Sequence, residues 1–400
     1  MKHFLYYECV DCGHTFSSND VVYLCPHCGC FSPPPRGLLL VRYELPAGIS
    51  MDALSVADWL PLLPLGSAGS LPPVRVGRTP LYHRTVDGCE VWLKDDSQNP
   101  TFSYKDRASA VVSAFAKERG LPVLVAASTG NAGSSLAGIC AAQGQRAVIM
   151  VPQNAPAAKL TQIAAYGATL VRVRGSYDDA FELSLSATEA WGWYNRNTAV
   201  NPLTVEGKKT AAFEIAEALG APDYVFVPCG DGVIVGGLWK GFMELHEAGL
   251  LEKMPHMVLV QAQGSANLVR NLTAAETAFP TASTLADSIC VNVPRNFGMV
   301  RWFHRRYGST GITVPDDAIV AALRHLAATQ GLFVEPAAAA AWAGWRAMRG
   351  QLPPSARSVV MLTGSGLKDI APLQRALNLP EPVEPTLEAL EQQYGEVLGQ

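Results

Sequence analysis

The residue best placed to do chemistry in this chain is Lys105. It lies in Asn99-Pro100-Thr101-Phe102-Ser103-Tyr104-Lys105-Asp106-Arg107, where a turn leads into a helix whose first turn carries Ser103 and Lys105. The positive end of that helix, with Arg107 two residues on, disfavours the ammonium form. A neutral amine is what imine formation with a carbonyl requires. Taken alone, the segment is a weak sign, because most lysines that open helices are solvated.

Three glycine-rich turns strengthen it. Ser128-Thr129-Gly130-Asn131-Ala132-Gly133 follows an apolar run and opens a helical pattern, which makes a nest of amides and hydroxyls for an anion. Gly230-Asp231-Gly232-Val233 joins another strand end to a helix, a second anion site of the phosphate-cradling kind. Thr363-Gly364-Ser365-Gly366-Leu367-Lys368-Asp369 puts a hydroxyl at a third strand end. Any one of these turns could serve plain chain reversal. Together they supply an amine, a carboxylate site, a phosphate site and a neutral hydroxyl at strand ends, where open α/β sheets bind ligands.

A separate chemistry opens the chain. Cys9-x2-Cys12 and Cys25-x2-Cys28 are separated by twelve residues, and Gly13 and Gly29 follow the pairs. Four thiolates on two tight turns are the tetrahedral soft set that zinc prefers. A disulfide pair or four unconnected thiols are the alternatives, and the two-knuckle spacing favours zinc. His14, His27 and Cys30 are surplus to it. Four thiolates leave no open coordination position, so the metal is expected to be structural. The other cysteines are scattered, as reduced thiols would be.

These residues need elements to hold them. Apolar runs at 91–94, 123–127, 147–151, 169–173, 224–227, 258–261 and 359–362 read as strands. Helical patterns lie between them at 104–118, 132–143, 156–166, 177–190, 207–219 and 235–248. Fully apolar strands alternating with helices indicate parallel sheets covered on both faces. The stretch is too long for one small sheet. The expected fold class is therefore α/β, two interleaved open-sheet domains with the ligand site in the cleft, behind a small zinc ribbon. The expected divisions are 1–35 for the ribbon, 36–92 with 204–385 for the larger domain, 93–203 for the smaller, and 386–400 for a peripheral tail with a helix at 385–398. Residues 45–80 show little periodicity.

Composition excludes several classes. With 400 residues and a net charge of −4, the chain is no nucleic-acid binder acting through overall positive charge. No apolar run approaches the ~20 residues of a membrane span, and the alanine-rich stretch 336–348 is too short and includes Arg346. No secretory pattern opens the chain, so a cytoplasmic protein is expected.

The order Asn-Pro-Thr-x-Ser-x-Lys-Asp-Arg, Ser-Thr-Gly-Asn, Asn201-Pro202 through Glu206-Gly207-x-Lys209-Thr210, a glycine loop, Glu335-Pro336 and Thr-Gly-x-Gly-Leu-Lys-Asp resembles the threonine synthases. These belong to the tryptophan-synthase-β-like group of pyridoxal phosphate enzymes, and relatives also carry the ribbon. The likeness runs from about Gly77 to Arg375. It implies that Lys105 holds pyridoxal phosphate as a Schiff base and then moves protons at substrate carbons. It implies that Asn131 bonds the cofactor's 3′-oxygen, and that Gly230, Asp231, Gly232 and Val233 bind its phosphate. Thr363 would face the pyridine nitrogen, where a hydroxyl leaves the ring a weaker electron sink and favours elimination and replacement over transamination. Ser128, Thr129 and Gly130 would hold the substrate carboxylate, with Ser103 a further substrate contact. The substrate implied is a small amino acid, O-phosphohomoserine, which loses phosphate and takes up water at its β carbon. A homodimer is implied by analogy.

The pattern departs in places. Thr204 stands where these enzymes carry an arginine thought to reach the substrate phosphate, Ser365 replaces a histidine, and Phe102 replaces a glycine. Asp231 in a phosphate loop is acceptable only if its carboxylate turns away, for instance to cap the next helix. Arg295, in Pro294-Arg295-Asn296, is a candidate substitute anion clamp or a solvated loop residue. The missing arginine keeps open a related enzyme that eliminates or replaces a β substituent, cysteate-synthase-like or ammonia-lyase-like. A non-catalytic zinc-ribbon binding protein is the remote alternative.

Overall fold

The computed structural model describes the chain apart from residues 1–4, 18, 19, 21, 45–47, 57, 58, 354, 378 and 398–400. The chain opens with β1 (Leu5–Cys9), β2 (Thr15–Phe16) and β3 (Leu39–Tyr43), an antiparallel sheet in the order β2-β1-β3. The first cysteine knuckle starts at the last residue of β1, and the sheet extends past the triproline to Tyr43. In the aperiodic stretch that follows, α1 (Met51–Val56) is the one α-helix among the described residues.

β4 (Leu81–Val86) and β5 (Cys89–Asp95) form a hairpin. Its turn residues Asp87 and Gly88 have φ of 51° and 76°, the left-handed pair that matches strand twist. After α2 (Lys105–Glu118) the chain builds a four-stranded parallel sheet from β6 (Val123–Ala127), β7 (Arg146–Pro152), β8 (Thr169–Val173) and β9 (Tyr194–Asn195), in the order β8-β7-β6-β9. The connecting helices are α3 (Asn131–Gln143), α4 (Ala157–Ala165) and α5 (Tyr177–Trp191). α6 (Leu203–Leu219) then leads back to the hairpin's sheet. That sheet adds β10 (Tyr224–Pro228), β11 (His256–Ala262), β12 (Thr310–Val314) and β13 (Ser358–Leu362), in the order β12-β11-β10-β13-β5-β4. Its helices are α7 (Val233–Glu247), α8 (Asn267–Asn271), α9 (Phe297–Tyr307), α10 (Asp316–His325) and α11 (Pro336–Met348). Apart from the hairpin every pairing in these two sheets is parallel. All catalytic loops expected from the sequence therefore leave carboxyl ends of strands.

α6 starts at Leu203, a turn earlier than the pattern 207–219 suggests, because Gly207 lies inside the helix. A Cβ at Gly207 would lie 2.1 Å from the Arg107 carbonyl oxygen, so this glycine lets α6 pack against α2. Residues Ile370–Gln400 form a separate compact unit with α12 (Ala371–Gln374) and α13 (Leu387–Tyr394). α13 is shorter than the expected tail helix. It is capped by Thr386, whose hydroxyl accepts from the Ala389 N–H at 3.2 Å; the expected end, Leu398, lies outside the described residues. Among the described residues no helix is long and apolar enough to cross a membrane.

Two buried ion networks tie the helices to the sheet. Arg107 Nε reaches Asp96 Oδ2 at 2.5 Å and Arg107 Nη1 reaches Glu214 Oε1 at 2.5 Å, while Lys94 Nζ reaches Glu214 Oε2 at 2.6 Å. Burial works against ionising Glu214, but Arg107 and Lys94 hold its carboxyl down at about 2. On the far side of α6, Lys209 and Lys240 pair with Glu206 and Glu244, and Tyr43 of β3 donates to Glu206. Each network sets two cations against two carboxylates, so neither leaves net charge in the core. Arg107→Ala strands a buried carboxylate and is expected to cost on the order of 3–5 kcal/mol in urea unfolding.

Candidate active site

Three chain segments are laced together where α2 begins. The Tyr104 N–H donates to the Thr363 carbonyl at 2.9 Å, and the Ser365 N–H donates to the Phe102 carbonyl at 3.0 Å. Ser103 bridges Gly364, and Val334 bridges Ser365. The Glu335 N–H completes the set by donating to the Gly364 carbonyl at 2.9 Å. Lys105, Thr363 and Glu335 are thus fixed as neighbours by backbone bonds alone. Phe102 keeps a left-handed φ of 69° although it is not glycine, a strain held by its bonds to Asn99 and Ser365.

Lys105 is the first residue of α2 and stays partly open. Burial lowers its pKa first and the Arg196 guanidinium next, with Glu335 and Asp231 opposing. This corrects the cause expected from the sequence. Arg107 is turned away into the Asp96–Glu214 network, and Arg196 is the cation that acts on the amine. Arg196 is fully buried and has no carboxylate of its own. Its Nε donates to Ser109 Oγ at 3.1 Å, Nη1 to Thr198 Oγ1 at 3.0 Å and Nη2 to the Lys105 carbonyl at 3.4 Å. Burial brings even this guanidinium down to about 10.

Asn131 starts α3 and donates to Glu335 Oε2 at 2.8 Å. Burial raises the Glu335 carboxyl, and the Asn131 bond only partly offsets it. Ser128 Oγ accepts from the Gly130 N–H at 3.2 Å, and Ser128, Thr129 and Gly130 are all half-exposed. Across the cleft, Gly232 takes φ of 84° as the residue before α7, and no side chain caps that helix. A Cβ there would meet Val300 Cγ2 at 2.5 Å. The first-turn amides of α7 are left available to an anion.

Asp231 does turn away, but to a different partner from the one expected. Its Oδ1 accepts from the Arg295 N–H at 3.0 Å instead of capping α7. Arg295 is buried, not solvated; its guanidinium lies 3.9 Å from the Phe181 ring centroid and pairs with Asp178 at 2.7 Å. Among the described residues, the buried polar atoms here without a hydrogen-bond partner include Ser103 Oγ, Arg295 Nη1, Asn296 Oδ1 and Lys208 Nζ. Thr204 has its hydroxyl committed to the Asn201 carbonyl at 2.8 Å and lends nothing to the cleft. Arg196, Glu335 and Lys208 were not assigned roles from the sequence. Glu335 opens α11 in a Glu-Pro pair that marks a helix start, whereas Arg196 and Lys208 carry no local signal.

In the ribbon, the four ligand atoms of Cys9, Cys12, Cys25 and Cys28 lie within 4.8 Å of one another. The Cys9–Cys28 sulfurs are 3.4 Å apart and those of Cys12 and Cys25 are 3.7 Å apart. A tetrahedral site with Zn–S bonds of about 2.3 Å spaces its sulfurs at roughly 3.8 Å.

A depressed lysine at a helix start, flanked by an asparagine, a threonine and an uncapped glycine loop at strand ends, defines the site of an imine-forming enzyme. The chain belongs to the pyridoxal-phosphate dependent enzyme family, whose sequence model matches residues 74–364. It is 32% identical to a threonine synthase of Methanocaldococcus jannaschii, over 94% of this chain and 96% of that protein. A threonine synthase of Halalkalibacterium halodurans is 35% identical, over 80% of this chain and 88% of its own. Among solved structures, the processed form of threonine deaminase isoform 2 from Solanum lycopersicum superposes with a TM-score of 0.67 over 83% of this chain and 94% of its own. At 20% identity that likeness speaks for the fold. The protein's cofactor is pyridoxal phosphate, and the orphaned polar atoms and the glycine loop fit a phosphate-bearing carbonyl compound.

Proposed function

We propose that this protein is a pyridoxal phosphate-dependent lyase that converts O-phospho-L-homoserine to L-threonine and phosphate. The observation that carries this is the match to proteins named threonine synthase over 94% and 96% of this chain. When bound, the cofactor withdraws electrons from the substrate's carbons, so that protons leave α and β positions and phosphate departs from the γ carbon.

The chain's own residues have distinct tasks. Lys105 would hold the cofactor covalently and move protons at the substrate carbons, a task that a lowered amine pKa favours. Asn131, oriented by Glu335, is placed for the cofactor's 3′-oxygen. Gly230, Asp231, Gly232 and Val233 supply backbone for the cofactor phosphate, the aspartate through its main chain alone. Thr363 would face the ring nitrogen, where its hydroxyl would not protonate it. Ser128, Thr129 and Gly130 hold the substrate carboxylate, with Ser103 Oγ free for a further contact. Arg295, with one unpaired Nη1, is a substrate contact at the cleft's edge. The larger and smaller domains expected from the sequence are read as the layers on either side of this cleft. A homodimer in the cytoplasm is part of the proposal, as is one structural zinc on Cys9, Cys12, Cys25 and Cys28.

A second reading has one observation behind it: Thr204 brings no charge to the cleft. It is a β-elimination or β-replacement enzyme acting on a shorter amino acid.

The yellow protein incubated with O-phospho-L-homoserine is expected to release phosphate and threonine in equal amounts. Cofactor-loaded protein that releases neither would favour the β-substituted substrate. Elemental analysis is expected to find one zinc per chain, and chelation should unfold the ribbon, because a sheet this small buries little core. A folded, metal-free ribbon would refute the zinc assignment.

A further inference from the structure

We propose that Lys208 is the cation that receives a phosphate monoester dianion in this cleft, whether the phosphate belongs to the cofactor or to the substrate. This rests on the reading above, in which both carry one.

α6 presents two consecutive lysines to opposite surroundings. Lys209 turns into the Glu206–Glu244–Lys240 network and is paired there. Lys208 is equally buried, yet its Nζ has no hydrogen-bond partner among the described residues. Its charged neighbours are Arg196, Lys105 and Asp231, which places it on the cleft side of α6. Burial first, and then Arg196 and Lys105, push the ammonium well below its usual range.

The nearby carboxylates are already engaged. Asp231 accepts from the Arg295 N–H, and Glu335 accepts from Asn131 and Ser288. The cleft wall therefore holds Arg196 and Lys208 with no carboxylate bonded to either amine or guanidinium. Lys208 also lies close to α7, where a Cβ on Gly237 would stand 2.6 Å from the Lys208 Cβ. The uncapped amino end of α7 adds its partial positive charge to the same region. A lone buried ammonium is costly, and a residue this unsupported is retained where a ligand supplies the anion. A single carboxylate would leave charge over; a phosphate dianion matches a lysine and a helix end together.

The test compares full-length wild type, Lys208→Met and Lys208→Arg. In one arm, dissociation constants are measured for pyridoxal phosphate and for pyridoxal, which lacks the phosphate. In the other, inorganic phosphate is titrated into the cofactor-loaded protein. Lys208→Met is expected to weaken one of the two at least tenfold, and Lys208→Arg to keep most of it. A loss for pyridoxal phosphate with pyridoxal unchanged names the cofactor as the source. A loss for inorganic phosphate with cofactor affinity intact names the substrate. Both affinities unchanged in Lys208→Met would overturn the proposal. Because the Lys208 ammonium has no hydrogen-bond partner among the described residues, the cofactor-free Lys208→Met protein should melt no lower than wild type. A clear drop would mean a structural role and would also overturn it. Failure of wild type to take up pyridoxal phosphate at all would instead bring down the cofactor reading.

Discussion

The site depends on lowering the pKa of the Lys105 amine inside a protein where several other lysines are buried against carboxylates. Lys94, Lys209 and Lys240 are buried, and each is paired with at least one carboxylate. Lys105 is set against Arg196, while Glu335 and Asp231 act only partly in the other direction. Its position at the first turn of α2 adds the helix's positive end. Burial is the largest influence, so whatever fixes the depth of Lys105 fixes its chemistry.

That depth is set by backbone hydrogen bonds among residues 102–104, 333–335 and 363–366, and by the packing of α2 on α6. The Arg107 network serves the same end from behind. By binding Asp96 and Glu214 it anchors α2 to β5 and α6, and it keeps those carboxylates away from the amine. The two neutral networks and the under-compensated cleft are complementary halves of one design. Charge is cancelled where it supports structure and left uncancelled where an anionic ligand is to enter. The ribbon joins this scheme through Tyr43, which donates to Glu206.

The candidate residues that the sequence offered are those whose signals are local. Lys105, the Ser128–Gly130 turn with Asn131, the Gly230–Val233 loop and Thr363 each sit in a short motif at a strand end, and the fold brings those ends together. What was not legible depends on contacts distant in sequence. Arg196 acts on Lys105 across 91 positions, and nothing near it in the chain announces that. Arg107 looked like the acting cation by proximity in sequence, yet on a helix a residue two positions away faces elsewhere. Gly207 looked like a helix boundary and is a helix crossing. β4 and β12, the outer strands of the large sheet, lack the unbroken apolar character of its centre, so they escaped the pattern that marks β6, β7, β10 and β11. Lys208 gives no sign beside Lys209; both are buried, and only the partners that the fold brings to Lys209 separate the paired lysine from the unpaired one.

Of the two lysines in this cleft whose pKa is lowered, Lys105 alone is to hold the cofactor. Borohydride reduction of the yellow protein, followed by proteolysis and mass mapping of the modified peptide, tests this most directly. The expected result is a single phosphopyridoxyl group on the peptide containing Lys105, with Lys208 unmodified. Label on Lys208, or no trapped label in a protein that retains its cofactor, would contradict it.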